Sequence, residues 1–239
     1  MISVACLGAL ALLVGLSEKY VRRGLPLRRE PIGQWASAHY LIEAGRPDIA
    51  ARKLQDEIER GAALKQRAAV WRSVLLAGMG QSCLELSRLY REGALRRPEL
   101  SGQFFGYVQD YATCAKRYAR ELNQILADRA NWLGETPLVT LESNPPLVTS
   151  DEHLIAEIRT GVLPNRTDAL KLYSHHLQTG VSEVLRRMSP LGEREVPVSV
   201  FLATMQTSML SLAQAMGEPD RSSFQRLASS LTTTKPTAP

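Results

Sequence analysis

Apolar side chains recur every three or four residues along most of this chain, the period of a helix with one buried face. Between Pro47 and Glu59 that face holds Ile49, Ala50, Leu54 and Ile58, while Arg52, Lys53, Asp56, Glu57 and Glu59 cover the other. Pro47 suits a first helical turn, where no backbone N–H is needed, and Gly61 ends the pattern, so a helix is expected over 47–60. An earlier helix is expected from Gln34 to Ala44, with Trp35, Ala38, Leu41 and Ile42 on one side and Gly45 as its stop. A long third helix, 63–91, draws its buried positions from Val70, Val74, Ala77, Gly78, Leu84, Leu86 and Leu89. Gly78 and Gly80 flank Met79 inside it. Glycine in a helix interior costs about 1 kcal/mol relative to alanine, so its presence marks close backbone approach.

A loop over 92–103, containing Gly93, Pro98 and Gly102, is expected next. The fourth helix, 103–133, carries an aromatic stripe of Phe104, Tyr107, Tyr111 and Tyr118, continued by Leu122, Ile125 and Trp132. The character then changes. Residues 134–150 are rich in proline and β-branched residues and use Pro-Leu-Val-Thr twice, at 137–140 and 146–149. That composition favours extended backbone. It sets a boundary between one helical sub-bundle, 34–133, and a second helical segment, 151–230. In the second segment Thr149 and Glu152 form a capping box for a short helix that ends at Gly161. Asn165 or Thr167 caps a helix over 167–188, and Pro190 and Pro197 bracket a polar linker. A helix over 198–216 has no charged side chain, and a last short helix near 219–230 precedes a Ser/Thr/Pro tail, 231–239.

The expected fold class is therefore all-α, a helical hairpin and bundle. Residues 34–61 resemble a single tetratricopeptide-type repeat. Ala38 stands at the small position of its first helix, Gly45 at the turn and Ala50 at the small position of its second. Glu57 replaces the usual second small residue, no proline closes the unit, and no further copy follows at the expected period. The resemblance implies hairpin packing and no more.

The N-terminus adds a location. Ile2 to Leu16 is an uncharged run in which Ile2, Leu7, Leu10, Leu13 and Leu16 supply bulk, slightly short of a full membrane span. Lys19, Arg22, Arg23, Arg28 and Arg29 follow directly. Charge after the apolar run, with no small-residue cleavage site, is the reverse of a secretory signal. Residues 1–23 are thus expected to anchor the chain in a single pass, with 24–33 as a linker and the body on the cytoplasmic side. A mitochondrial outer-membrane or a bacterial inner-membrane anchor has this form. The net charge of +5 is concentrated in that flank, so nucleic acid is not an expected partner.

The chain has three cysteines, Cys6, Cys83 and Cys114, with no CxxC and no zinc spacing. They are expected to be reduced thiols, as in a reducing compartment. His175 and His176 are adjacent and diverge by about 100° on a helix, which disfavours a shared metal. No nucleotide, hydrolase or metalloprotease motif occurs, so neither cofactor, metal nor catalytic residue is expected, and the chain is not expected to be an enzyme. What remains is a membrane-tethered helical adaptor or scaffold that holds a protein partner at the cytoplasmic face. Met205, Met209, Leu212 and Met216 form its expected partner face, since methionine adapts to varied surfaces. Anionic lipid headgroups could meet Arg88, Arg91, Arg96 and Arg97. The alternative is a helical protein that binds lipid or another hydrophobic ligand at a membrane, with 136–150 as a lid.

The anchor is tested by washing membranes from cells expressing the full chain with alkaline carbonate, then adding protease to intact membranes. The expected result is carbonate-resistant protein whose body is digested from the cytoplasmic side. Release by carbonate alone would remove the anchor.

Overall fold

The computed structural model describes residues 46–59, 65–141 and 151–232. The anchor run, its basic flank, the linker and the 34–44 helix lie outside the described residues, as do residues 142–150 and the tail after Thr232. The described chain is almost all helix: α1 (Pro47–Glu59), α2 (Lys65–Arg96), a single 3-10 turn (Pro98–Leu100), α3 (Ser101–Ala127), α4 (Ala130–Leu133), α5 (Glu152–Arg159), α6 (Arg166–Met188), α7 (Val198–Ala213) and α8 (Asp220–Thr232). Two three-residue strands, β1 (Leu138–Thr140) and β2 (Glu195–Pro197), interrupt the series.

The 32-residue α2 organises the molecule. Every residue from Ala68 to Leu84 on it is buried, so it has no solvent-facing stripe over that stretch. A helix apolar on all sides must be surrounded; α1, α3, α5, α6 and α7 all pack on it. The approach of α6 is the closest. A Cβ built on Gly78 would lie 2.6 Å from the Cα of Val181, and one on Gly180 would overlap Ser82 Oγ and the Gly78 carbonyl oxygen. One turn along, the Ser82 hydroxyl donates to the His176 carbonyl at 2.5 Å. Gly78 against Gly180 and Ser82 against His176 mean that the two helices cross antiparallel with their backbones in contact. Gly78 thus fulfils the sequence expectation; Gly80 instead faces the side chain of Leu212.

One charged side chain is admitted to this core. Arg72 is 7% exposed; its Nε donates to the Ala51 carbonyl at 3.1 Å and its Nη2 to Glu121 Oε2 at 2.7 Å. It ties α1 and α3 to α2. Burial lowers the guanidinium pKa from its usual value, and the Glu121 carboxylate opposes that.

Several boundaries differ from those expected. The 92–103 loop is mostly helix: α2 continues to Arg96, because Gly93 serves packing, against the Ile158 carbonyl and the Phe104 ring, and not termination. Pro98 makes the break. Asn165, of the two candidates, caps α6, its side chain accepting from the Asp168 N–H at 3.0 Å. The extended reading of the 134–150 segment holds at β1, but the polar linker contains its partner. Leu138, Val139 and Thr140 pair antiparallel with Pro197, Val196 and Glu195, and Val139 and Val196 are each 2% exposed. The main core cluster runs from Ala50 to Leu231 and draws on helices from both sides of that segment. A second, smaller cluster joins Leu86, Tyr90, Phe104, Tyr111, Ile158 and Leu172.

Gly78→Ala is expected to destabilise the fold by about 2 kcal/mol or more through overpacking. Gly106→Ala, on the exposed face of α3 with open space around it, is expected to stabilise it by about 0.5–1 kcal/mol. Urea unfolding of the two variants checks the opposite signs.

Candidate functional site

The expected partner face is corrected first. Met205, Met209, Leu212 and Met216 are 0%, 0%, 1% and 2% exposed. They belong to the main core, where α7 lies between α8 and α2, and offer nothing to a partner in this fold. An uncharged helix is uncharged here because it is enclosed. The anchor residues Ile2, Leu7, Leu10, Leu13 and Leu16 and the basic flank of Lys19, Arg22, Arg23, Arg28 and Arg29 lie outside the described residues. Among the described residues no helix is long and apolar enough to cross a membrane.

The histidines are scattered. His175 and His176 are half-buried on α6, and His153 is exposed with Glu157 3.7 Å away. Burial lowers the His176 pKa, with a smaller contribution from His175. Among the described residues no group of three or more His, Cys, Asp or Glu side chains could hold a metal ion.

The aromatic stripe leads to an open cleft of about 560 Å³ between α3 and α6. Tyr107, Asp110, Tyr111 and Cys114 line it from α3, and Arg166, Ala169, Leu170 and Tyr173 from α6. Each set follows the i, i+3, i+4, i+7 spacing of a single helix face. One face of each helix therefore lines the opening. Leu170, 60% exposed, stands at the rim. The Tyr111 and Tyr173 rings stack at 5.7 Å between centroids, and Tyr107 lies 6.3 Å from Tyr111. Tyr90, from α2, supports them from behind at 4.6 Å from Tyr107 and 5.5 Å from Tyr111. The Tyr118 and Tyr173 hydroxyls lie 3.4 Å apart. Burial pushes the phenols of Tyr90, Tyr111, Tyr118 and Tyr173 up, so they stay neutral at physiological pH. Asp110 and Arg166 give the cleft one charge of each sign.

Cys114 is half-buried in the cleft wall, and Cys83 of α2 is fully buried behind it. Both thiols are free. The neighbouring Cys83 holds the Cys114 thiol below the ordinary thiol value against the opposing effect of burial; Arg117, one turn further on α3, adds to the lowering. The neighbouring Cys114, together with burial, pushes the Cys83 thiol up. The expectation of plain reduced thiols thus misses their juxtaposition. Cys6 lies outside the described residues.

The described body is an all-α protein with one long enclosed helix and an aromatic-walled cleft beside it. No family model matches the chain, and neither a curated protein nor a solved structure matches it.

The rate of Cys114 alkylation by iodoacetamide in the full chain, read by peptide mass spectrometry, is expected to rise with pH and reach half its maximum below the ordinary thiol value of about 8.5. The sign follows from the lowered value: the reactive thiolate is already present above that pH and is lost only below it. An inflection near the ordinary thiol value, about 8.5, would show that Cys83 and Arg117 do not favour the thiolate.

Proposed function

We propose that this chain is a membrane-associated helical protein that binds a small apolar ligand in the cleft between α3 and α6. The observation that carries the reading is the cleft itself. It is of the size usual for small-molecule sites, mainly apolar, with few polar groups to orient an occupant. Stacked tyrosines offer flat, rigid surfaces that lose little conformational entropy when covered. Arg166 at the mouth would meet an anionic or hydrogen-bond-accepting end of the ligand.

The membrane part of the proposal rests on the sequence, on the apolar Ile2–Leu16 run and its basic flank. The surface at the C-terminal end of α2 agrees with it. Arg88, Arg91, Arg96 and Arg97 are exposed there, and Leu95, 75% exposed, lies among them. Exposed arginines with an apolar residue in their midst suit anionic headgroups. The reading as an adaptor for a protein partner loses one of its motives, the Met205–Met216 face, which is buried.

Photolabelling tests the proposal, using an apolar aryl diazirine with the full-length chain in non-ionic detergent. Label is expected on peptides bearing Tyr107, Tyr111, Leu170 and Tyr173. Leu170→Gln, at the exposed rim, is expected to weaken it about fivefold, the effect of roughly 1 kcal/mol of lost apolar contact. Label spread over the surface, indifferent to Leu170→Gln, would reject the cleft as a binding site.

A further inference from the structure

We propose that the cleft takes a single-chain anionic amphiphile, its tail between the tyrosine walls and its head beside Arg117, in a polar pocket that continues the cleft along α3. This deepens the ligand-binding reading and rests on it. The polar pocket, of about 240 Å³, lies between α1 and α3. Asp48 and Arg52 line it from α1, and Arg117, Tyr118 and Glu121 from α3. Two observations join it to the cleft. On α3 the lining passes from Tyr107, Tyr111 and Cys114 of the cleft to Tyr118 and Glu121 of the pocket, in steps of three and four that keep to one helix face. Across to α6, Tyr118 lines the pocket and Tyr173 the cleft, and their hydroxyls lie 3.4 Å apart. Tyr107 and Arg117 are ten residues apart on α3, about 15 Å of helix, the reach of a medium-length hydrocarbon chain.

The two openings differ in charge. In the cleft Asp110 offsets Arg166. In the pocket both carboxylates are already engaged. Asp48 accepts from Arg46 Nε at 3.1 Å and Nη2 at 3.2 Å, and Glu121 accepts from the buried Arg72 at 2.7 Å. That leaves Arg52, 3.9 Å from Asp48, and Arg117, which pairs with no carboxylate among the described residues. The Arg117 guanidinium lies 4.9 Å over the Tyr118 ring, which holds it where pocket and cleft meet. The Cys114 thiolate, one turn back, takes part of its field. The guanidinium groups of Arg46, Arg52, Arg72 and Arg117 therefore meet Asp48, Glu121 and one thiolate, an excess of one positive charge. One anionic head restores the balance. Burial keeps the Tyr118 and Tyr173 phenols neutral, so each retains an O–H that can donate to that head.

Neither half suffices alone. An exposed guanidinium attracts a small free anion weakly in salt. The tyrosine walls distinguish poorly between one apolar chain and another, because burial of apolar area is not directional. A molecule that carries both ends engages both halves at once, and a neutral or cationic head forgoes the second. Arg166 is the competing seat for the head. It stands seven residues before Tyr173 on α6, about 10 Å from the Tyr118–Tyr173 junction.

The test labels the full-length chain, in non-ionic detergent at neutral pH, with dodecanoic acid bearing a mid-chain diazirine and separately with its methyl ester. Peptide mapping over a range of probe concentrations gives an apparent affinity for each. Both are expected to label peptides bearing Tyr107, Tyr111 and Tyr173. The acid-to-ester ratio of affinities is expected to fall about fivefold in Arg117→Gln, a comparison in which partitioning into the micelle cancels. Arg117→Lys is expected to keep most of the ratio, since the charge remains. Leu170→Gln is expected to weaken both probes alike. Unlabelled dodecanoate or dodecyl phosphate is expected to displace the acid better than dodecanol does, and the stronger of the two identifies the head. A ratio that survives Arg117→Gln, or that falls in Arg166→Gln instead, would overturn the proposal while leaving the cleft a binding site. Absence of cleft label from both probes would reject ligand binding itself.

Discussion

The contact between Gly78 and Gly180 sets the geometry on which the rest depends. With no Cβ on either helix at the crossing, α2 and α6 meet backbone to backbone. That contact sets the distance of α6 from α2, on which α3 also packs. Further along, the same two helices are spaced by larger residues, among them Leu86, Tyr90 and Leu172 of the second cluster. The pair is thus tight at the glycine crossing and filled by larger side chains beyond it, and the cleft lies beside that second stretch, between α3 and α6.

The aromatic groups have a double role in this arrangement. Tyr90 and Phe104 are core residues by burial, while Tyr107 and Tyr173 are half-buried and line the opening. A continuous ladder of rings thus passes from the dry interior to the cleft wall. Its polar ends are satisfied sparingly, by the Tyr118–Tyr173 hydroxyl contact, and the phenols remain neutral. The wall is therefore largely apolar where it meets an occupant, with charge at Asp110 and Arg166 and at the Cys114 thiolate. The two sulfurs sit where this ladder meets α2, which is why one is enclosed and the other is not.

Much of this was legible in the sequence, and the parts that were not have physical reasons. Helical period, Asn165 as one of two candidate caps, and Gly78 inside the longest helix were legible because each is a local signal. The stop at Gly93 was misread because a glycine that ends a helix and a glycine that admits a neighbour look alike until the neighbour, here Phe104, is in place. The strand at 195–197 pairs with one more than fifty residues earlier, and a three-residue strand has too little alternation to announce itself. Met205, Met209, Leu212 and Met216 were read as a partner face because an uncharged stripe fits both a groove and a core; only the placement of α7 between α2 and α8 decides. For the cleft, the Tyr107–Tyr111 half was visible and the Ala169–Tyr173 half was not singled out, although it has the same spacing. Nothing local links Cys83 to Cys114, 31 positions apart on separate helices.

The enclosure of α2 also bears on how the sequence can change over time. An ordinary surface helix tolerates exchange on its wet side, so its substitution tolerance rises and falls with the helical period. Between Ala68 and Leu84 there is no wet side. Each of those positions is answerable to a packed neighbour, whether an aliphatic chain, a serine bonded across the crossing or the glycine it opposes. Drift must then be absorbed in pairs, one change on α2 matched by another on the helix that faces it. The longest helix becomes the slowest part of the described chain to diversify, and α1, α3 and α6 can vary freely only on the faces they turn away from it.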